Sequence, residues 1–241
     1  MDHLLELGSG MARFTELASR ATGDEPVPNC PDWTTRDLIQ HLGTIHRWAG
    51  AIVLSGQRQD LPKPIYGEDL VEWYAGTAAA LLAALQAVDV DEPTPNFSLI
   101  DEKAGFFHRR QMHEVIVHTV DAAQALGVPE DEWRIAPLLA ADGVEEVLRV
   151  FFPRMTARGK RPNVQSRIRL TATDTGQSWL MGPAEGAGLP PVLLHSSFDA
   201  DTTVEGKAAD LYLALWHRVP MDRLTFDNED GRALFDGHTT P

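Results

Sequence analysis

Cysteine is nearly absent: Cys30 is the single one in 241 residues. One thiol cannot close an internal disulfide, so no oxidised framework holds the chain together and the expected compartment is the cytoplasm. Positive charge is scarce as well, with 21 Lys and Arg against 35 Asp and Glu and a formal net charge of −14. A surface of that sign repels phosphates instead of steering them, which excludes a direct nucleic-acid role and reads most simply as a solvated acidic exterior. Long apolar runs are missing too. The richest, "AAALLAAL" at 78–85, falls short of the roughly 18 residues that a membrane span needs and reads as a core helix. The opening "MDHLLELGSGMARF" lacks a basic stretch followed by an apolar block, so neither a secretory leader nor a membrane partner is expected.

What is present is ordinary globular material: 43% hydrophobic and 23% charged residues, enough for one large domain or two modest ones. Helical periodicity runs through the first 155 residues or so. Leu4, Leu7, Met11, Phe14 and Leu17 recur at three and four. "TTRD" at 34–37 resembles a capping box and opens a second helix with Leu38, Leu42, Ile45, Ala49 and Ile52 on one face, ending near Gly56. A third helix is expected over about 69–88. A fourth is expected over about 103–126, stopped by Gly127 and Pro129, and a fifth over about 137–157 with Leu138, Val144, Val147, Leu148 and Phe151 inward. Four of these suit an antiparallel bundle. The basic stretch "RMTARGKRPNVQ" (154–165) reads as a linker. Beyond it Ile168, Leu170 and Ala172 alternate with polar residues as in a half-buried strand, a turn at "DTG" predicts a hairpin with "QSWLM" (177–181), and further strands at 202–206 and 223–226 flank a helix over 207–218. The fold class is therefore α+β, with a helical bundle over 1–157 and a small α+β domain over 164–241.

The chemistry gathers in "RRQMHEVIVHTVDAA" (109–123). Glu114 and His118 are four apart and share a helix face. Val115 and Val117 flank Glu114 at about 100° and about 60° of rotation, so the acid sits in an apolar arc. A buried carboxylate needs a partner. Arg109 or Arg110, one turn back, would make it a helix ion pair. A divalent metal shared with His118 and with His41, which lies on the inward stripe of the second helix between Leu38 and Ile45, would make it a ligand. Two histidines and one carboxylate are the donor set of zinc sites that keep a position open. Of the nine histidines, His46 and His113 stand five residues from a candidate ligand, about 140° off its face, and read as non-ligands. Asp121, three residues after His118, either accepts the second ring N–H of that histidine or is a solvated acid. Cys30 reads as a small buried filler.

"VPNCPDWTTRDLIQHLGTIHRWA" (27–49) and "RRQMHEVIVHTVDAAQALG" (109–127), with "VEGKAADLYLALWHRVPMDRLTFDNEDGRALF" (204–235), resemble the mycothiol-dependent maleylpyruvate isomerase family over nearly the whole chain. The resemblance implies a DinB-like metal-binding four-helix bundle followed by a sterol-carrier-like domain. It implies zinc on His41, Glu114 and His118, mycothiol as thiol cofactor, and Arg218 as a catalytic arginine of the second domain. Arg109 and Arg110 are further candidates for binding an anionic substrate. The implied activity is isomerisation of a cis-unsaturated organic acid, or thiol S-transfer to an electrophile, with metal-activated thiolate as nucleophile. A DinB-like enzyme using another thiol or water, and a non-catalytic metal-binding or ligand-carrier protein, are the competing readings. The tail departs from the family pattern, carrying Asn228-Glu229-Asp230 where a Gly-Asp turn is expected.

Overall fold

The computed structural model describes residues 1–63, 69–98, 100–162, 164–185 and 189–237, so the tail with His238 lies outside the described residues. The chain divides into two compact units, Met1–Trp133 and Arg134–Pro241. The first is built from α1 (His3–Arg20), α2 (Thr35–Ser55), α3 (Leu70–Ala87) and α4 (Gly105–Ala125). Local chemistry sets their ends. The Asp2 carboxylate accepts the Leu4 and Leu5 N–H groups at 3.1 Å each, satisfying orphan donors of the first turn. The expected capping box forms, with Asp37 Oδ2 accepting both the Thr34 N–H and its hydroxyl at 2.9 Å. Gly56 (φ 64°) and Gly127 (φ 63°) take the left-handed conformation just past α2 and α4, where a side chain would be strained.

α1 and α2 each pack against both α3 and α4, which closes a four-helix bundle. Leu7, Met11, Phe14 and Leu17 of α1 are buried as their period requires, and Leu4 only half so. On α2 the buried stripe is Leu38, Leu42, Ala49 and Ile52, with Ile45 half-exposed. Among the described helices α3 alone is long and apolar enough to cross a membrane by length and composition, at a mean hydropathy of 1.2. Here it buries Tyr74, Leu81 and Leu85 in the bundle.

In the second unit α5 (Pro137–Glu146) passes through one π turn at Val147–Phe151 into α6 (Phe152–Ala157). The strands β1 (Ile168–Ala172), β2 (Ser178–Gly182), β3 (Val192–Leu194), β4 (Thr202–Gly206) and β5 (Thr225–Phe226) form one sheet in the order β3-β2-β1-β4-β5. β1 pairs antiparallel with β2 across the predicted turn and parallel with β4, after which α7 (Ala208–Leu215) follows. Ile168, Leu170 and Ala172 are buried, as the alternation demands. β3 has no signal in "GLPPVLLH", because three residues are too few to show a period.

The division between units differs from the expected one. The helix from 137 onward packs on α7, within the sheet's unit, so the boundary falls after Trp133 and not in the basic stretch 154–165. That stretch is no linker either. Arg161 is buried, and its guanidinium donates to the carbonyl oxygens of Leu215 (2.9 Å) and Leu234; Asn163 lies outside the described residues. Leu138, expected inward, is 66% exposed.

The α5–α7 contact depends on a glycine. A Cβ on Gly143 would stand 2.5 Å from the ring of Tyr212, which is fully buried. Alanine gains about 1 kcal/mol over glycine inside a helix, but overpacking a buried ring costs about 1–3 kcal/mol. The ring has nowhere to move, so Gly143→Ala is expected to lower the urea midpoint with the denaturant slope unchanged. An unaltered midpoint would mean that α5 and α7 can part without cost.

Candidate metal centre

α4 carries Arg110, Glu114 and His118 in one row, each four residues after the last, and α2 lays His41 against it. His41 Nε2 lies 3.1 Å from Glu114 Oε1, and His118 Nε2 lies 3.4 Å from the same oxygen. The other carboxylate oxygen, Oε2, accepts a hydrogen bond from Arg110 Nη2 at 2.9 Å. One candidate ligand atom from each of His41, Glu114 and His118 can be chosen so that all lie within 4.8 Å of one another. Exposure grades across the group: the side chains of Arg110, His118, Glu114 and His41 are 3%, 9%, 18% and 29% exposed. The site is thus closed on the arginine side and accessible on the His41 side.

The electrostatics follow from that crowding. Burial by itself would raise the Glu114 carboxyl, but hydrogen bonds from His118 and His41 and the Arg110 charge outweigh it and hold the group well below the usual carboxylate range. Burial would likewise lower His118, yet the carboxylates of Asp121 and Glu114 push it up to about 9. Asp121 is fully buried, and its Oδ2 sits 2.9 Å from His118 Nδ1, so it orients the ring and leaves Nε2 facing Glu114. Of the two readings of Asp121, the solvated acid is excluded. The Cys30 Sγ reaches the same Oδ2 at 3.8 Å and is only half-buried, so it braces Asp121 instead of filling a core gap.

The donor set suits a divalent cation. Two imidazole nitrogens and a carboxylate oxygen are three of the four ligands of a tetrahedral zinc site, and an apolar wall stands beside them. That wall is Trp33. Its ring centroid is 4.8 Å from that of His41 and 6.3 Å from that of His118. The turn that delivers it holds Asp32 at φ 69°, a left-handed conformation that aspartate tolerates better than most residues. Nothing in the helical periodicity singles out Trp33. Its place immediately before the capping box, where the helix entry angle is set, was the available signal.

The model of the mycothiol maleylpyruvate isomerase N-terminal domain matches residues 4–123, and that of the MDMPI C-terminal domain matches residues 139–237. The chain belongs to the mycothiol maleylpyruvate isomerase family. Two solved structures share its fold over 93% of this chain and 91% of theirs. One is a mycothiol-dependent maleylpyruvate isomerase, at a TM-score of 0.63 and 15% identity. The other is a histidine-to-alanine mutant of such an isomerase, at a TM-score of 0.65 and 13% identity. Comparison with curated proteins gives no match.

Within this maleylpyruvate isomerase family member, His41, Glu114, His118, Asp121 and Arg110 come together in the first unit. Arg110, expected to bind substrate, is instead buried and engaged by Glu114. Arg109 is half-buried on α4. His46 and His113 are fully buried and stand outside the donor cluster. His46 Nδ1 meets Gln111 Oε1 at 2.9 Å and Nε2 meets the Tyr74 hydroxyl at 3.4 Å, so it belongs to the bundle core. Arg218 lies in the second unit just after α7, buried, with Nη1 donating to the Trp216 carbonyl oxygen at 2.6 Å.

Proposed function

We propose that this protein is a zinc-dependent, mycothiol-using isomerase that converts a cis-unsaturated organic acid of the maleylpyruvate type to its trans isomer in the cytoplasm. The observation that carries this is the three-donor cluster of His41, Glu114 and His118, one ligand short of a closed shell, in a chain of this family. Zinc held there would supply a positive charge that favours thiolate over thiol at neutral pH. Addition of the thiolate to the cis double bond forms a C–S bond and sends the electron pair of the double bond onto the adjacent carbonyl as an enolate. Rotation about the resulting single bond follows. Collapse of the enolate then breaks the C–S bond, restores the double bond in trans and returns the same thiolate, with no net proton or redox change. No protein cysteine is needed. The chain's own residues prepare the place: Asp121 fixes the His118 ring, Arg110 holds Glu114, and Trp33 screens the histidines from water on one side.

The test is turnover by the purified full-length protein with mycothiol and maleylpyruvate, followed by proton NMR. Formation of the trans isomer with mycothiol, its absence with glutathione, and its loss on chelation with recovery on zinc addition are the expected results. Accumulation of a thioether instead would point to the S-transferase variant of the same thiol chemistry. Metal-loaded protein that leaves both compounds untouched would refute the reading.

A further inference from the structure

Glu114 is engaged at both of its oxygens, and the two are not equivalent. Oε1 faces the two histidines, at 3.1 Å from His41 Nε2 and 3.4 Å from His118 Nε2. Oε2 faces Arg110, whose guanidinium is 3% exposed and 2.9 Å away. A charge-assisted bond of that length to a buried arginine is strong and directional. An arginine cannot shed its proton to release the oxygen. It is also one turn along the same rigid helix, so it cannot swing aside without leaving its buried position.

We infer that Arg110 is a positioning residue that keeps Glu114 a one-oxygen ligand. Its hydrogen bond draws Oε2 toward the guanidinium and disfavours that oxygen as a second donor, while Oε1 faces the histidines. The consequence is specific. A carboxylate free at both oxygens can take a metal with one or with both. Binding through both would fill the fourth position of a site that otherwise keeps it for a thiol. The guanidinium charge also cancels that of the carboxylate, so the centre retains more of the dication's positive charge to favour a bound thiolate. Arg110 thereby serves the chemistry without touching substrate, which is a different role from the substrate contact its place in "RRQMHE" suggests. The inference rests on the metal-centre reading above.

Infrared difference spectroscopy of the full chain, with and without zinc, tests it independently of turnover. The separation between the antisymmetric and symmetric carboxylate stretches widens on one-oxygen ligation and narrows on two-oxygen ligation; Asp121→Asn, which removes the other carboxylate at the centre and leaves Glu114 in place, identifies the Glu114 bands as those that persist. Wild type and Arg110→Lys are expected to widen, and Arg110→Met to narrow. With cobalt in place of zinc, the visible bands of Arg110→Met should weaken severalfold as the coordination number rises, while those of the lysine variant hold. A merely structural arginine would lower stability and leave both spectra as in wild type, and that result, or narrowing in the wild type itself, overturns the inference while the metal centre stands. If Arg110→Met does not fold, the wild-type difference bands alone decide between widening and narrowing. A wild type that takes up no zinc overturns the metal reading and this inference with it.

Discussion

Purified Glu114→Gln is expected to carry almost no zinc where the wild type carries close to one equivalent. Loss of a hydrogen-bonding partner behind a ligand already weakens metal binding about 10–100-fold, so loss of the charged ligand itself should exceed about 100-fold. Two imidazoles, one of them 29% exposed, are a poor trap on their own. The choice of glutamine matters. Glu114→Ala would leave the buried Arg110 guanidinium without its carboxylate, and breaking a buried pair from one side costs about 3–5 kcal/mol. Since Glu114 is partly exposed, the low end applies, but that is enough to confuse a lost ligand with a lost fold. The glutamine amide oxygen can still accept from Arg110 while supplying no charge to a cation. His41→Ala, on a different helix, should lose zinc as well without any orphaned charge. Metal analysis by mass spectrometry beside urea midpoints separates the two effects. Full zinc occupancy in both variants would show that these residues are an ion-pair cluster and nothing more.

The second large effect is on acid stability and resides in His46. The ring is fully enclosed between α2, α3 and α4, and burial drives its pKa down to about 4, against a partial gain from Gln111. In the unfolded chain it returns to about 6.5. Above that value both states leave the ring neutral. Between about pH 6.5 and 4 only the unfolded chain takes the proton, so stability falls as the pH falls. At roughly 1.4 kcal/mol per unit, the loss over the whole window is about 3 kcal/mol. Urea midpoints at half-unit steps from pH 7 to 4 should fall more steeply in the wild type than in His46→Gln, which keeps a polar group but has nothing to titrate. Taking the difference between the two proteins removes the opposing contribution of His118, whose pKa is raised. Parallel curves would mean that the ring is reached by water or already charged in the fold.

Much of this molecule follows from local rules. Asp2 and the Thr34–Asp37 box open the first and second helices, and Gly56 and Gly127 close the second and fourth, because each satisfies or releases backbone groups within a few residues of itself. The strand alternation at 168–172 and the turn before β2 are equally local. His41, Glu114 and His118 could be selected because a period of 3.6 fixes which side chains share a face, and because a carboxylate in an apolar arc demands a counter-charge. What periodicity leaves open is which neighbour supplies it. Arg110 and the two histidines both answer, one at each oxygen, and only the packing of α2 on α4 reveals that they do so together. The same limit explains the helix after 137, whose apolar face fits a bundle as well as a sheet. Its place beside α7 is decided by Gly143 admitting the Tyr212 ring. Local sequence determines where elements begin, end and turn their faces, since those terms are summed over a few residues; the partner of each face depends on shape complementarity between residues far apart in the chain, which only the folded structure specifies.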